Sequence, residues 1–343
     1  MATMHQDPAV HAFDRAPLQH ALDEAAAFDP EYGPGLSNHL PMALLALARL
    51  GASPQRLADF SASYRADKRL RPARTRVPWP AGDAWAGRFG QRRAWPMYLD
   101  LFAQWVGHEG AADVLAQVLP ALMPGVGAAA FHGLIRTAAG VQAGHAGEVA
   151  QGLAHWAAFH LPLGELPPLP APRHRIADPA RVLRRLAAGT SKAGLIADRM
   201  RDAAADGTVN AQAARLVVDE HTPERLARAA AFAYAESGNF TALHLVTGTH
   251  AMRVLARFID EGEPRRAAWR WFWQAYAHGV VAARLQPAAD AAPLAPWPEL
   301  AARAMAARDE HVIKLVDAAR EEQRCHGAGA SDVWQRAASR AVG

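Results

Sequence analysis

Histidine is the residue through which this chain is best equipped for chemistry. It has sixteen in 343 residues, and several stand in apolar surroundings. His39 falls in Leu36-Ser-Asn-His-Leu-Pro-Met42 at a helix start, and His132 follows Phe131 in an apolar stretch. His244 and His250 share Leu243-His-Leu-Val-Thr-Gly-Thr-His-Ala251, His278 ends a tryptophan-rich segment, and His311 opens Glu310-His-Val-Ile-Lys-Leu-Val316. Imidazole is a common ligand for iron, zinc and copper. Any one of these residues alone reads as a hydrogen-bonded core histidine. Five or six within apolar helices would each need a separate buried partner. A shared metal resolves several of those desolvation costs together.

The local ligand spacings of familiar metal sites are missing. There is no H-E-x-x-H and no E-x-x-H, which argues against a ferritin-like di-iron bundle. The one H-x-D is His5-Gln-Asp7, near the N-terminus. A metal site must therefore be assembled from distant segments. His244 and His250, six residues apart, fall on different sides of a regular helix. A bend at Gly248 would bring them together.

Lysine usage adds a second lead. Only Lys68, Lys192 and Lys314 occur, against 34 arginines. Lys314 stands between Ile313 and Leu315, one turn after His311 and on the same helix face. Arginine would serve equally as a surface charge, so a lysine here suggests chemistry of the amine. The options are a depressed pKa or carboxylation to an anionic metal ligand. The plain alternative is a lysine that snorkels to the surface or pairs with Glu310 or Asp317.

Other chemistries find little support. Gly125-Val-Gly127-Ala-Ala-Ala130 matches a dinucleotide fingerprint loosely, but a helical stretch ending in proline precedes it, where a strand is required. No Walker sequence and no G-x-S-x-G elbow occurs. The formal charge of +4 is spread along the chain, with no basic–aromatic run that would suggest a nucleic-acid partner. A single cysteine, Cys325, excludes a disulfide scaffold and a multi-cysteine metal site. The chain lacks a signal-peptide pattern and is expected to be cytoplasmic. The apolar stretch from Val114 to Ile135 is interrupted by Pro120, Pro124, Gly125 and Gly127. It reads as two short buried helices with a bend, so no membrane partner is expected.

The elements that must position these residues are helical. Alanine, leucine and arginine dominate, and apolar residues recur at steps of three and four. Helices are expected over 41–50, 54–66, 95–119, 128–139, 148–159, 178–188, 193–204, 211–218, 223–236, 240–260, 264–285 and 299–324. Pro-rich loops separate them at 71–82, 161–172 and 287–298, the second being either a linker or a long surface crossover. The fold class is all-α, a multi-helix single domain with long Pro-rich loops. Trp269, Trp271, Phe272, Trp273 and Tyr276 are mostly core by spacing, and some of them, or Trp79, Trp85 and Trp95, could line a flat aromatic pocket.

Four pieces of the chain resemble the questin oxidase-like family. They are Tyr32-Gly-Pro-Gly-Leu-Ser-Asn-His-Leu-Pro-Met42, Phe131-His-Gly-Leu-Ile-Arg136, Leu243-His-Leu-Val-Thr-Gly-Thr-His-Ala-Met-Arg253 and Glu310-His-Val-Ile-Lys-Leu315. Family members belong to fungal polyketide pathways, where they oxidatively open anthraquinone-type rings, and they were long described as Baeyer–Villiger-like. The resemblance implies an all-helical oxygenase with mononuclear non-haem Fe(II), held by histidines and a carboxylated lysine. On this chain that gives His39, His132, His244 and His250 with Lys314. His311 is the catalytic residue beside them, or replaces one of the four. It further implies O₂ and a small aromatic or quinone-like substrate, with NADPH as a candidate external reductant.

The expected organisation is a flexible segment at 1–19, an oxygenase-like domain at 20–326 and a helical tail at 327–343. The rival readings are a metal-dependent hydrolase with a carboxylated lysine and a non-enzymatic helical binding protein.

Overall fold

The computed structural model describes residues 15–189, 194–205, 207–288, 290, 292–327 and 332–343. The expectation for 1–19 falls mostly outside them, and Arg15 already begins a helix. Sixteen α-helices stand among the described residues, with one two-residue antiparallel hairpin, β1 (Glu31–Tyr32) and β2 (Leu36–Ser37). The first seven helices are α1 (Arg15–Ala25), α2 (Leu40–Leu50), α3 (Pro54–Lys68), α4 (Trp95–Glu109), α5 (Ala111–Leu122), α6 (His132–Ala143) and α7 (Ala146–Ala158). Next come α8 (Pro179–Leu183), α9 (Ile196–Ala204), α10 (Thr208–Ala213), α11 (Thr222–Ser237) and α12 (Phe240–Ala256). The last four are α13 (Glu263–Ala283), α14 (Trp297–Ala306), α15 (Glu310–His326) and α16 (Val333–Val342). The all-α expectation holds, and one continuous hydrophobic core joins the helices.

Two expected helices are broken. The stretch 95–119 divides at Gly110, whose φ of 88° ends α4. The stretch 299–324 divides at 307–309, and Asp309 caps α15 by accepting from the His311 N–H at 2.8 Å. This second break places Asp309, Glu310 and His311 at a helix start. Segment 161–172 is a surface crossover whose Leu161 and Leu163 are buried in the same core. No helix among the described residues is long and apolar enough to cross a membrane. The final helix, α16, packs on α11 and α15 through Trp334, Ala337 and Ala338.

Four helices make the frame that matters for function. Helix α2 packs on α6 and α15, and α12 packs on the same two. Pro41 in the first turn of α2 and Asn239 at the cap of α12 fix two of their starts, Asn239 accepting from the Thr241 and Ala242 N–H groups. Helix α6 lies backbone-to-backbone on α7. A Cβ on Gly133 would come within 2.6 Å of the Trp156 backbone, and one on Gly152 within 2.5 Å of Thr137 N. Glycine is required at both positions for that close approach.

Candidate metal centre

His39 precedes α2, His132 is the first residue of α6, and His244 and His311 lie near the starts of α12 and α15. Four helix N-terminal ends thus meet at one place. Ring nitrogens of His39, His132 and His244 lie within 4.8 Å of one another, and all three residues are buried. His39 Nε2 is 2.5 Å from His132 Nε2, with the rings stacked at a centroid distance of 4.5 Å. The His244 ring sits 5.0 Å from that of His132. His311 closes the group, 4.6 Å from the His39 ring and 5.8 Å from that of His244.

In each ring Nδ1 faces an oxygen. His132 Nδ1 donates to the Ala129 carbonyl, and His244 Nδ1 donates to the Phe240 carbonyl at 2.8 Å. His311 Nδ1 donates to Asp309 Oδ1 at 2.9 Å. His39 Nδ1 faces Glu310 Oε1 at 3.5 Å, and its backbone N–H donates to the Tyr64 hydroxyl at 3.0 Å. With the proton on Nδ1, the Nε2 of His132, His244 and His311 keeps a lone pair, whereas His39 Nδ1 makes no hydrogen bond that fixes its proton. The Nε2 atoms of His39, His132 and His244 face inward, and His311 Nε2 is buried without a hydrogen-bond partner. Several lone pairs converging on one point repel unless a cation lies among them, so these residues fit a nitrogen-ligated metal.

The electrostatics follow. Burial, then the neighbouring positive groups, hold His39 and His132 well below the ordinary imidazole range. Burial first, then His311 and Lys314, lowers His244 to about 3. Burial also lowers His311, against the opposing pull of Asp309, whose own carboxyl the His311 hydrogen bond brings down to about 2. The helix N-terminal ends add positive potential in the same direction.

Lys314 is 4% exposed and lies one turn beyond His311 on α15. Its charge lowers all four imidazoles further, and burial lowers Lys314 itself to about 8.

His132 is positioned by a strained run. Ala129, Ala130 and Phe131 have φ values of 46°, 57° and 70°, a left-handed turn that L-residues rarely adopt. It turns the Ala129 carbonyl onto His132 and starts α6 four residues later than the sequence suggests. Helical and 3-10 segments precede this turn, so the glycine pattern at 125–130 is no dinucleotide fingerprint.

The expectation for His250 needs correction. Helix α12 runs unbroken through Gly248, which accommodates the Phe131 ring at 3.3 Å. Without a bend, His250 faces away from His244. Its Nδ1 donates to Glu322 at 2.8 Å, and Arg253 holds the same carboxylate at 2.8 Å. His278 is also elsewhere, its Nδ1 donating to the Gln274 carbonyl at 2.8 Å. Trp269, Phe272, Trp273 and Tyr276 are core residues. Aromatic residues that touch these histidines are instead Phe240 and Tyr64. Phe240 is 54% exposed yet lies 4.8 Å from the His244 ring and 4.7 Å from the His311 ring. Glu310, 2% exposed, also escaped the sequence reading as a site residue. Its position directly before His311 was the available signal.

A helical fold enclosing a histidine-lined centre with a buried lysine defines the class. The questin oxidase-like family model matches residues 36–319, and the chain belongs to that family. No curated protein matches the chain. Membership supports an oxidase or oxygenase role on a quinone-like substrate.

Proposed function

We propose that the chain is a mononuclear non-haem iron oxygenase acting on a quinone-type aromatic compound with O₂. His39, His132, His244 and His311 hold the metal through Nε2, and Lys314, as a carbamate, adds an anionic ligand. The convergence of the three buried imidazoles with His311 supports this reading, and Lys314 is buried one turn beyond His311 on α15. Bound iron would supply O₂ activation, which no side chain here can perform.

The chain's own residues supply the rest. Asp309 and the carbonyls of Ala129 and Phe240 keep the Nδ1 protons of His311, His132 and His244 in place and so aim their Nε2 lone pairs. Phe240 shields the edges of His244 and His311 from water. Lys314, lowered to about 8, keeps on the order of a tenth of its amine neutral at pH 7. The neutral amine attacks CO₂, an N–C bond forms, and one proton leaves. The product is an anion in a place where four neutral imidazoles leave a divalent cation uncompensated.

If one oxygen atom enters the substrate, the other leaves as water and an external reductant such as NADPH supplies two electrons. If both enter, no reductant is consumed. The test is oxygen uptake by Fe(II)-loaded protein with a hydroxyanthraquinone, with and without NADPH. Substrate-dependent uptake that His132→Ala abolishes supports the reading, and loaded protein that consumes no oxygen with any such compound contradicts it.

One observation favours a second reading. His39, Glu310 and His311 form another group able to hold a cation, as a two-metal hydrolase would need. Lys68 Nζ, at 3.1 Å, already neutralises Glu310 there. Two zinc ions per chain with ester hydrolysis would favour the hydrolase.

A further inference from the structure

A cleft of about 590 Å³ opens between α3 and the segment 306–311, and it ends on Glu310 and His311. That volume is in the range of small-molecule sites. Phe60 and Tyr64 contribute aromatic wall, and Tyr64 is tied to the centre by accepting the His39 N–H. Lys68, the last residue of α3, lines the same cleft. We propose that this cleft binds the organic substrate and that Lys68 grips an anionic oxygen on it, the phenolate of a hydroxylated aromatic.

Three cations line the cleft, Arg56, Lys68 and Arg308, with the carboxylates Asp59, Asp67, Asp309 and Glu310. Arg56 donates to the Met305 and Ala307 carbonyls, both at 2.6 Å, and so holds the 306–311 segment against α3. Lys68 is 31% exposed, with Nζ 3.1 Å from Glu310 Oε1. An ammonium has three donors, so donors beyond this ion pair remain for a ligand oxygen. The Tyr32 and Tyr64 rings lie 5.8 and 5.6 Å from Nζ and keep it at the cleft wall. Glu310 links the arrangement to the centre, because the same Oε1 faces His39 Nδ1 at 3.5 Å. A ring seated in the cleft with its oxygen on Lys68 would meet the His311 edge of the histidine group, touching the little of Phe60 and Tyr64 that is open there.

The inference rests on the quinone-type reading for its ligand class, and two probes separate the two. Binding of 1,8-dihydroxyanthraquinone and of its dimethyl ether is followed by quenching of tryptophan fluorescence in iron-loaded protein. Lys68→Met is expected to weaken the dihydroxy compound at least about tenfold, the effect of losing a charge-assisted hydrogen bond. The dimethyl ether, which cannot ionise, should change less than about twofold. Lys68→Arg, which keeps the charge, should retain most of the preference even if the methionine variant folds poorly. Iron content is measured in both variants, and the two affinities are compared at equal iron loading. Equal weakening of both probes, or no weakening of either, overturns the role of Lys68. Wild-type protein that binds neither probe overturns the quinone-type reading and this inference with it.

Discussion

His39 Nε2 lies 2.5 Å from His132 Nε2, although 93 residues separate them in sequence. His132 Nδ1 is committed to the Ala129 carbonyl, and the Glu310 carboxylate faces His39 Nδ1. Two imidazole lone pairs cannot face each other at that distance, so in metal-free protein one of the two neutral rings carries its proton on Nε2 and donates to the other. Metal binding must part the two nitrogens and move that proton to Nδ1. Nitrogen-15 spectra of metal-free protein should therefore show one protonated Nε2 in the pair, lost when Zn(II) is added. Two unprotonated Nε2 atoms in metal-free protein would contradict this arrangement.

The buried neutral histidines set the acid limit of stability. Burial lowers His155 to about 3 and His160 to about 4, from 6.5. Below pH 6.5 the unfolded chain takes up protons that the native state refuses. The stability these groups contribute is full above that pH and is lost as pH falls toward 4 and 3. His244, at about 3, acts in the same direction in metal-free protein. The expected loss is on the order of a few kcal/mol per fully buried group. Thermal unfolding of metal-free protein should show a flat Tm above pH 7 and a steep fall below 6. A Tm constant down to pH 4 would mean that these side chains are not neutral and buried.

The left-handed turn before α6 stores strain. Ala130, at φ 57°, can be replaced by glycine without the clash of a Cβ. Relief of about 1–2 kcal/mol, less the added freedom of glycine in the unfolded chain, should leave Ala130→Gly more stable by about 0.5–1 kcal/mol. A urea titration reads this effect, and a lower midpoint would refute it.

Lys314→Arg keeps the positive charge but cannot be carboxylated. Iron should be lost and turnover should fall at least about 100-fold, the cost of removing a ligand that only a carbamate supplies. Lys314→Ala with added acetate should recover part of the metal binding. In the wild type, ¹³C-labelled CO₂ should give a carbamate carbon resonance that the arginine variant lacks. Full iron occupancy in that variant would end the carbamate hypothesis.

Local pattern made much of this molecule legible. Steps of three and four announce α11, α12 and α13 within a few residues, because packing of an apolar stripe dictates them. His39, His132, His244 and Lys314 were legible as polar residues in apolar settings. Non-local geometry was not legible. Whether Gly248 bends α12 depends on Phe131, a residue 117 positions away that fills the space above it. The break at 307–309 depends on Asp309 capping α15, and a helix-forming sequence around it hides that signal. Glu310 gains meaning only because α3 brings Lys68 to it. The sequence therefore offers His250 or His311 beside the other three histidines, and the geometry brings His311.

The central claim is that one metal is held by His39, His132, His244, His311 and Lys314. The most direct measurement is iron content per chain after reconstitution, for the wild type, His311→Ala and His250→Ala. About one iron per chain is expected in the wild type. His311→Ala should lose it. His250→Ala should keep it while losing about 2–4 kcal/mol of stability, since Glu322 would lose a buried hydrogen-bond partner. No iron in the wild type, or iron lost in His250→Ala and kept in His311→Ala, would contradict the account.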